Sequence, residues 1–471
     1  MTDLIEQSAT WMARAVRERE VSAVELLDAH AARIAERDPV INALVLPRLE
    51  AAREEAAAAD AALARGDAPG ALHGVPFTAK DPLAVAGMPA PNGSKLLAGH
   101  VSDADCAPVA RMRVAGAILL GKTNVSEFSM WWDSANELFG ATANPHDSSR
   151  TAGGSSGGEA AALASGMSPL GLGSDLGGSI RNPCHFVGVF GLKPGRDTVP
   201  FADHKPLPAG PGIRLMGVVG PMARWAEDLE LGLDVLATAP LAPAERPSQV
   251  AVFEEDGLQP VSRDCRAAVR RAAAALADAG YATVEATPPN VAEVRGAFDV
   301  ILGTEVATAL PAVVGDRGSE LSPYLQAMFA EQSGFAPDWG SYFDASARLA
   351  RCEIEADEWL VRHPVALCPP APEVATPLRG AWSAEIDGVP TRPGGKLTLA
   401  TYASALGLPA VCVPVMRAEG SGLPVGVQLI GARGSERSLL ALAAELESLL
   451  GGWLRPADAG CPSGSGGAAG S

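Results

Sequence analysis

A serine hydroxyl bonds to an acyl carbon only when a base removes its proton and nearby donors hold the oxyanion that develops. The sequence sets two serine loops in glycine-rich surroundings within one stretch, Thr151–Pro194. They are found in Gly153-Gly154-Ser155-Ser156-Gly157-Gly158 and, further on, in Gly177-Gly178-Ser179. Glycine opens backbone conformations closed to other residues and lets a ligand come close to the main chain. Hydroxyls, exposed backbone donors and little side-chain bulk are the ingredients of acyl transfer. A single loop of this kind reads as a tight turn in an Ala/Gly-rich core; a pair in one stretch points to a site.

Two kinds of base are open. The chain has seven histidines, His30, His73, His100, His146, His185, His204 and His363. Gly153–Gly157 also satisfies GxSxG, the nucleophile-elbow pattern, so a Ser-His-Asp arrangement has to be weighed. That turn needs a strand directly before its serine, whereas Pro145–Arg150 reads as polar loop. The other base is a lysine kept uncharged by burial, because desolvation lowers the pKa of an ammonium group. Lys80, preceded by an apolar run and followed by Asp81-Pro82, is the best candidate.

These groups need elements to hold them. Gly70–Pro82 switches period and reads as holding a short apolar strand that carries the lysine toward its end. The alanines of Glu159–Ser165 and the absence of β-branched residues predict a helix, and a start at Gly157–Glu159 aims its free N–H groups back into the serine loop. Residues 1–66 read as helical: Ser22 and Glu25 form a capping pair, and Arg48–Arg65 is a solvated helix ending at Gly66. Ala107–Ala115 follows as a helix and Ala117–Leu120 as a buried strand. Downstream, strands are expected at Gln249–Phe253, Ala282–Ala286, Val365–Cys368, Ala410–Pro414 and Gly426–Ile430. Helices are expected at Ala226–Leu236, Arg263–Ala279, Val291–Leu310, Pro323–Leu360, Leu397–Leu406 and Glu436–Leu450, with Gly380–Gly395 as loop. Strands alternating with helices predict an α/β fold, a sheet covered on both faces.

Gly116–Thr123 matches the nucleotide-loop pattern GxxxxGK followed by Ser or Thr. Its four inner residues are apolar and read as strand, so they do not cradle a phosphate. Ser129, Met130, Trp131 and Trp132, with Phe128 and Phe139, gather aromatics in a chain only 5% aromatic, as a core cluster or as a pocket wall. Pro323–Phe343, with Tyr324, Phe329, Phe335, Trp339 and Tyr342, is the expected lid or pocket rim.

Composition excludes several classes. The net charge of −18, with no basic run, speaks against a nucleic-acid surface. Seven scattered cysteines without CxxC spacing fit buried thiols in a reducing compartment. No HExxH or clustered His/Asp set favours a metal, and no cofactor is expected. The N-terminus lacks a signal-peptide core, and no window approaches the roughly 18–20 uninterrupted apolar residues of a membrane span. A cytoplasmic protein acting on a small molecule, as monomer or homodimer, is the expectation.

Gly74-Val-Pro-Phe-Thr-Ala-Lys80-Asp81, Gly153–Gly158 and Gly173-Ser-Asp175-Leu-Gly-Gly-Ser179-Ile-Arg181 together resemble the three blocks of the amidase signature family. Gly121–Asn124, Gly191–Pro194, Val219–Ala223 and Gly422–Gln428 are similar to its flanking blocks, so the likeness spans roughly Ala71–Glu445. The resemblance implies one large domain over residues 67–456, built on a central mixed sheet. Residues 1–66 would pack on it as a helical segment, and 457–471, rich in Gly, Ser and Ala, would be a disordered tail. It also implies Ser179 as nucleophile, Ser155 as bridging serine after a cis Gly154–Ser155 peptide, and Lys80 as acid/base. The N–H groups of Leu176, Gly177, Gly178 and Ser179 would form the oxyanion hole. Asp175 and Arg181 would brace the loop and Ser156 would orient Ser155. Ala152 replaces a common proline and Gly195–Thr198 is altered, which touches loop shape and not the three reacting groups.

The Glu127–Gly140 and Ser155–Glu159 segments resemble the fatty-acid-amide and aryl-acylamide branches more than the amidotransferase branch. Met130, Trp131, Trp132, Phe139 and Ser129 would then contact an apolar or aromatic amide, anilide or carbamate. The rival readings are a glutaminase subunit of a tRNA-dependent amidotransferase and a catalytically idle binding module.

Overall fold

Along the strand Ile118–Thr123, Leu119 enters one apolar cluster while Ile118 and Leu120 enter another. Side chains on a strand alternate between the two faces of its sheet, so the split means that both faces are covered. The computed structural model, which describes residues 4–202, 209–332, 338–380, 383–391 and 398–457, is built on one eleven-stranded sheet. Its strands are β1 (Leu44–Pro47), β2 (Pro76–Lys80), β3 (Ile118–Thr123), β4 (Leu170–Asp175), β5 (Phe190–Lys193), β6 (Val218–Ala223), β7 (Val250–Val252), β8 (Thr283–Glu285), β9 (Val365–Cys368), β10 (Ala410–Arg417) and β11 (Pro424–Gly431).

In space they run β1-β3-β2-β4-β6-β5-β10-β11-β9-β7-β8. β2 is parallel to both its neighbours, β3 and β4, and β7 is parallel to both β8 and β9, while the remaining pairs are antiparallel. The sheet is therefore mixed, as expected. On one face lie the helices Ala23–Ile41, Gly157–Ala164 and Arg181–Val187; the other carries Ala9–Arg17, Ala226–Leu236, Val291–Val314, Trp339–Arg362 and Glu436–Leu450. All five residues of β2, which ends at Lys80, and all six of β4, which ends at Asp175, are buried.

Three expectations need correction. The N-terminal segment is not purely helical: between Ala23–Ile41 and Leu49–Arg65 the chain contributes β1, the edge strand beside β3. Four residues ending in proline are too short to show a period of two, and an edge is where a strand tolerates proline. The polar stretch before the first serine loop is not loop throughout, because Asp147–Thr151 pairs antiparallel with Ala143–Asn144. That hairpin is a separate two-stranded sheet, so the serine does not follow a strand of the central sheet as an elbow requires. Gly380–Gly395 likewise contains a small hairpin, Glu385–Ile386 with Val389–Pro390. Residues 458–471, most of the expected tail, lie outside the described residues.

Among the described residues one helix, Val291–Val314, is long and apolar enough by length and composition to cross a membrane. It carries Arg295, Asp299 and Glu305, and it buries Val294, Ala297, Phe298 and Ile301 against the core.

Candidate active site

Lys80 is the last residue of β2 and has no solvent exposure. Its Nζ lies 2.7 Å from Ser155 Oγ and 2.8 Å from Ser174 Oγ. Burial lowers the pKa of the amine to about 7, against the opposing pull of Asp175, Asp81 and Glu159. A lysine on a solvated strand end would stay charged; here the strand position supplies the desolvation.

Ser155 follows Gly154 across a cis peptide bond and directly precedes the helix Gly157–Ala164. The loop is fixed from outside by Ser134. Its N–H donates to Gly153 O at 3.0 Å, its hydroxyl donates to Ser155 O at 3.1 Å, and that hydroxyl accepts from Gly157 N–H at 2.8 Å. The helix packs so tightly that a Cβ on Gly158 would meet Asn124 N at 2.4 Å, which explains the glycine there.

Ser179 sits in the turn between β4 and the helix Arg181–Val187. Asp175, at the end of β4, accepts from the N–H groups of Gly178 (2.8 Å) and Ile180 (3.1 Å), and from Arg181 Nε (3.0 Å) and Nη2 (2.9 Å). Burial works against its charge, but the Arg181 guanidinium and these donors hold the carboxyl well below the usual carboxylate range. Arg181 also donates to Ala400 O, Gln428 Oε1 and Ser404 Oγ at 2.8–2.9 Å. Ser156 ties the two loops together, its N–H donating to Ser179 O at 3.1 Å and its hydroxyl to Ser174 O at 3.2 Å. Gly178 has φ +114, and a Cβ would lie 2.8 Å from Ala400 Cβ, so the turn needs glycine there. Gly178 departs from the expected oxyanion set: its N–H is already given to Asp175. Leu176, Gly177 and Ser179 remain as the candidate donors.

Replacing Arg181 by Met is expected to destabilise the fold by about 3–5 kcal/mol, because the Asp175 carboxylate is left buried without its cation. Urea unfolding at constant pH measures it.

A cavity of about 340 Å³ opens on these groups, lined at its base by Ser155, Ser174, Asp175, Leu176 and Ser179. Phe128, Ser129, Met130 and Trp132 form part of its wall, while Phe128 also belongs to an apolar cluster with Leu96, Leu97 and Val306, against which Met130 packs. Trp131 is not on the lining; its ring packs at a tilt of 36° against those of Trp132 and Tyr324, with centroids 5.2 and 3.8 Å away. Phe139 does not belong to the pocket. Its N–H donates to Asn136 Oδ1 and its carbonyl accepts from Asn42 Nδ2, which pins it towards the C-terminal end of Ala23–Ile41. Of the expected rim, Tyr324 lines the cavity, Tyr342 instead donates to Glu305 at 2.6 Å, and Trp339 is exposed. Phe335 and the side chain of Phe329 fall outside what the structure describes.

The sequence reading missed Ser174, Ser134 and the far wall, where Phe201, Ile213, Phe298 and Leu302 face the cavity; Met328, also on the lining, lies within the expected rim. Ser174 stood in plain view in Gly173-Ser174-Asp175, but nothing in one sequence marks it as a partner of the amine. The far wall comes from segments remote in the chain, and only the tertiary fold brings them together.

The competing chemistries do not assemble. None of the residues lining the cavity is a histidine; His30 and His185 are buried and bonded to backbone carbonyls elsewhere. Lys122 of the nucleotide-loop look-alike belongs to β3 and reaches Asp81 at 3.4 Å. Among the described residues no group of three or more His, Cys, Asp or Glu side chains converges as a metal site.

An α/β sheet with a buried lysine, two serine loops and an apolar cavity defines the class. The profile of the amidase family matches residues 25–440, and the chain belongs to that family, hydrolases that act on the C–N bonds of amides. It is 32% identical to fatty-acid amide hydrolase 2-B of Danio rerio over 496 residues, covering 96% of this chain and 91% of the relative. It is 31% identical to a glutamyl-tRNA(Gln) amidotransferase subunit from Acidothermus cellulolyticus over 497 residues, 95% of each chain. A solved amidase structure superposes with a TM-score of 0.85 at 31% identity, covering 94% of this chain and 100% of that one.

Proposed function

We propose that the chain hydrolyses hydrophobic secondary amides and anilides through Ser179, Ser155 and Lys80, with activated esters and carbamates as side substrates. The observation that carries this reading is Lys80 Nζ at 2.7 Å from Ser155 Oγ, at the base of an apolar cavity that Ser179 also lines. Neutral Lys80 takes a proton from Ser155, Ser155 takes one from Ser179, and the Ser179 oxygen bonds to the acyl carbon. The oxyanion forms against the N–H groups of Leu176, Gly177 and Ser179. As the C–N bond breaks, the proton returns from Lys80 through Ser155 to the leaving amine. Water then cleaves the acyl-enzyme by the same relay, and the acid is released.

The apolar wall from Phe128 to Met328 supports an apolar or aromatic acyl or amine part, since such a pocket desolvates little else favourably. The six described cysteines are free thiols, in keeping with a reducing, cytoplasmic setting. A panel of p-nitroanilides, carbamates, primary aliphatic amides and glutamine tests the specificity. Highest kcat/KM is expected on anilides with apolar acyl groups, and Trp132→Ala is expected to raise KM for them about ten-fold or more with a smaller change on short amides. Activity on glutamine alone would overturn the apolar-pocket reading in favour of the glutaminase one.

A further inference from the structure

Glu159 is a fully buried carboxyl that the relay does not use. It lies in the first turn of Gly157–Ala164, the helix that leaves Ser155. Its oxygens are taken by two neighbouring strands: Thr78 Oγ1 on β2 donates to Oε1, and Thr123 Oγ1 on β3 donates to Oε2 at 2.9 Å. Thr78 is two residues before Lys80 and shares its face of β2, and Thr123 is the residue paired with Lys80 in the β2–β3 register. Gly171 on β4 closes the remaining side, where a Cβ would meet Glu159 Oε1 at 2.0 Å. A leucine or methionine would fill this space without the cost of burying a carboxyl, so filling space does not account for the residue.

We propose that Glu159 is a positioning residue for Lys80, clamping the helix that follows Ser155 to β2 and β3 and directing a carboxyl charge at the amine. The proposal rests on Lys80 serving as the base. The charges facing that amine come from three elements. Asp81, which follows β2, is already paired with Lys122 of β3, and Asp175 on β4 with Arg181 of the following helix. Glu159 is held by neutral hydroxyls, so its charge has no cation of its own in the clamp. The groups facing Glu159 in turn are Lys80 and the Cys184 thiol. Burial pushes the Glu159 carboxyl up and the Lys80 amine down, so the two compete for one proton and the charge on each depends on the state of the other.

The test is the pH dependence of kcat/KM on a p-nitroanilide for the wild type, Glu159→Gln and Thr123→Val. Removing the carboxyl charge, or the hydroxyl that stabilises it, makes the Lys80 amine easier to deprotonate. The acid limb is therefore expected to move to lower pH by about half a unit or more in both variants, with plateau kcat reduced several-fold and KM little changed. A purely structural role would lower activity without moving the limb. Acid limbs unmoved in both variants would overturn the proposal. Should Glu159→Gln not fold, Thr123→Val decides alone by the same criterion. A wild type inactive on every amide would instead remove the reading of Lys80 as base.

Discussion

Ser179→Ala is expected to lower kcat/KM on any accepted amide by about four orders of magnitude or more, with no compensating change in KM. Loss of a nucleophile removes the covalent path altogether, and what remains is the rate that binding and oxyanion donors give to water. The substitution deletes one hydroxyl at the edge of a cavity, where Ser179 is only 8% exposed. Its stability cost should stay near about 1 kcal/mol, so a large kinetic effect with a nearly unchanged unfolding midpoint identifies chemistry and not folding. The backbone of residue 179 must keep its place, because its carbonyl accepts from Ser156 N–H and its own N–H is a candidate oxyanion donor. Activity within about ten-fold of the wild type would place the nucleophile elsewhere.

Lys80→Met carries the second large effect, an expected loss of about three to four orders of magnitude in kcat/KM. The same lysine predicts the wild-type pH profile. The relay needs the uncharged amine, so kcat/KM rises with pH through about 7 and falls off below it. Lys80→Arg should not restore activity, since a guanidinium stays protonated throughout. Lys80→Met is expected to raise stability at neutral pH. The folded pKa of Lys80 lies below the unfolded value of 10.5, so the unfolded state binds the extra proton between about pH 7 and 10.5. The lysine therefore weakens the fold fully below about pH 7, and the penalty fades as pH rises towards 10.5. Lys80→Met should be more stable than the wild type at pH 7, with the gap narrowing on the alkaline side. Paired urea titrations at pH 7 and pH 9.5 measure this.

The groups proposed to react stand out by local pattern, while their separate roles come from the family resemblance. Lys80 ends an apolar run that could only be a buried strand, and Ser155 and Ser179 sit among glycines that side chains would block. The helix after Ser155 followed from alanines, and the nucleotide-loop look-alike was disposed of by its apolar interior, which indeed pairs as β3. What could not be read depends on distance in space. β1 is too short to carry a period, and Ser134 is a lone serine beside tryptophans that happens to meet the Ser155 loop. Phe139 shared an aromatic segment with Trp132, yet its backbone bonds to Asn136 and Asn42 turn it away from the cavity. The Gly178 N–H looked available as a donor until Asp175 was seen to fold back onto it. Asp175 and Arg181 lie six residues apart, but the partners that make their network rigid, Ala400, Ser404 and Gln428, come from the far end of the chain.

The most direct test of the account is covalent labelling. The full-length chain is treated with a fluorophosphonate, which reports an activated serine by phosphonylating it, and the adduct is mapped by mass spectrometry of peptides. A single adduct on Ser179, formed fastest above pH 7 and lost in Lys80→Met, is the predicted result. Labelling of another residue, or labelling of Ser179 at an undiminished rate in Lys80→Met, would contradict a relay in which the buried amine activates that hydroxyl.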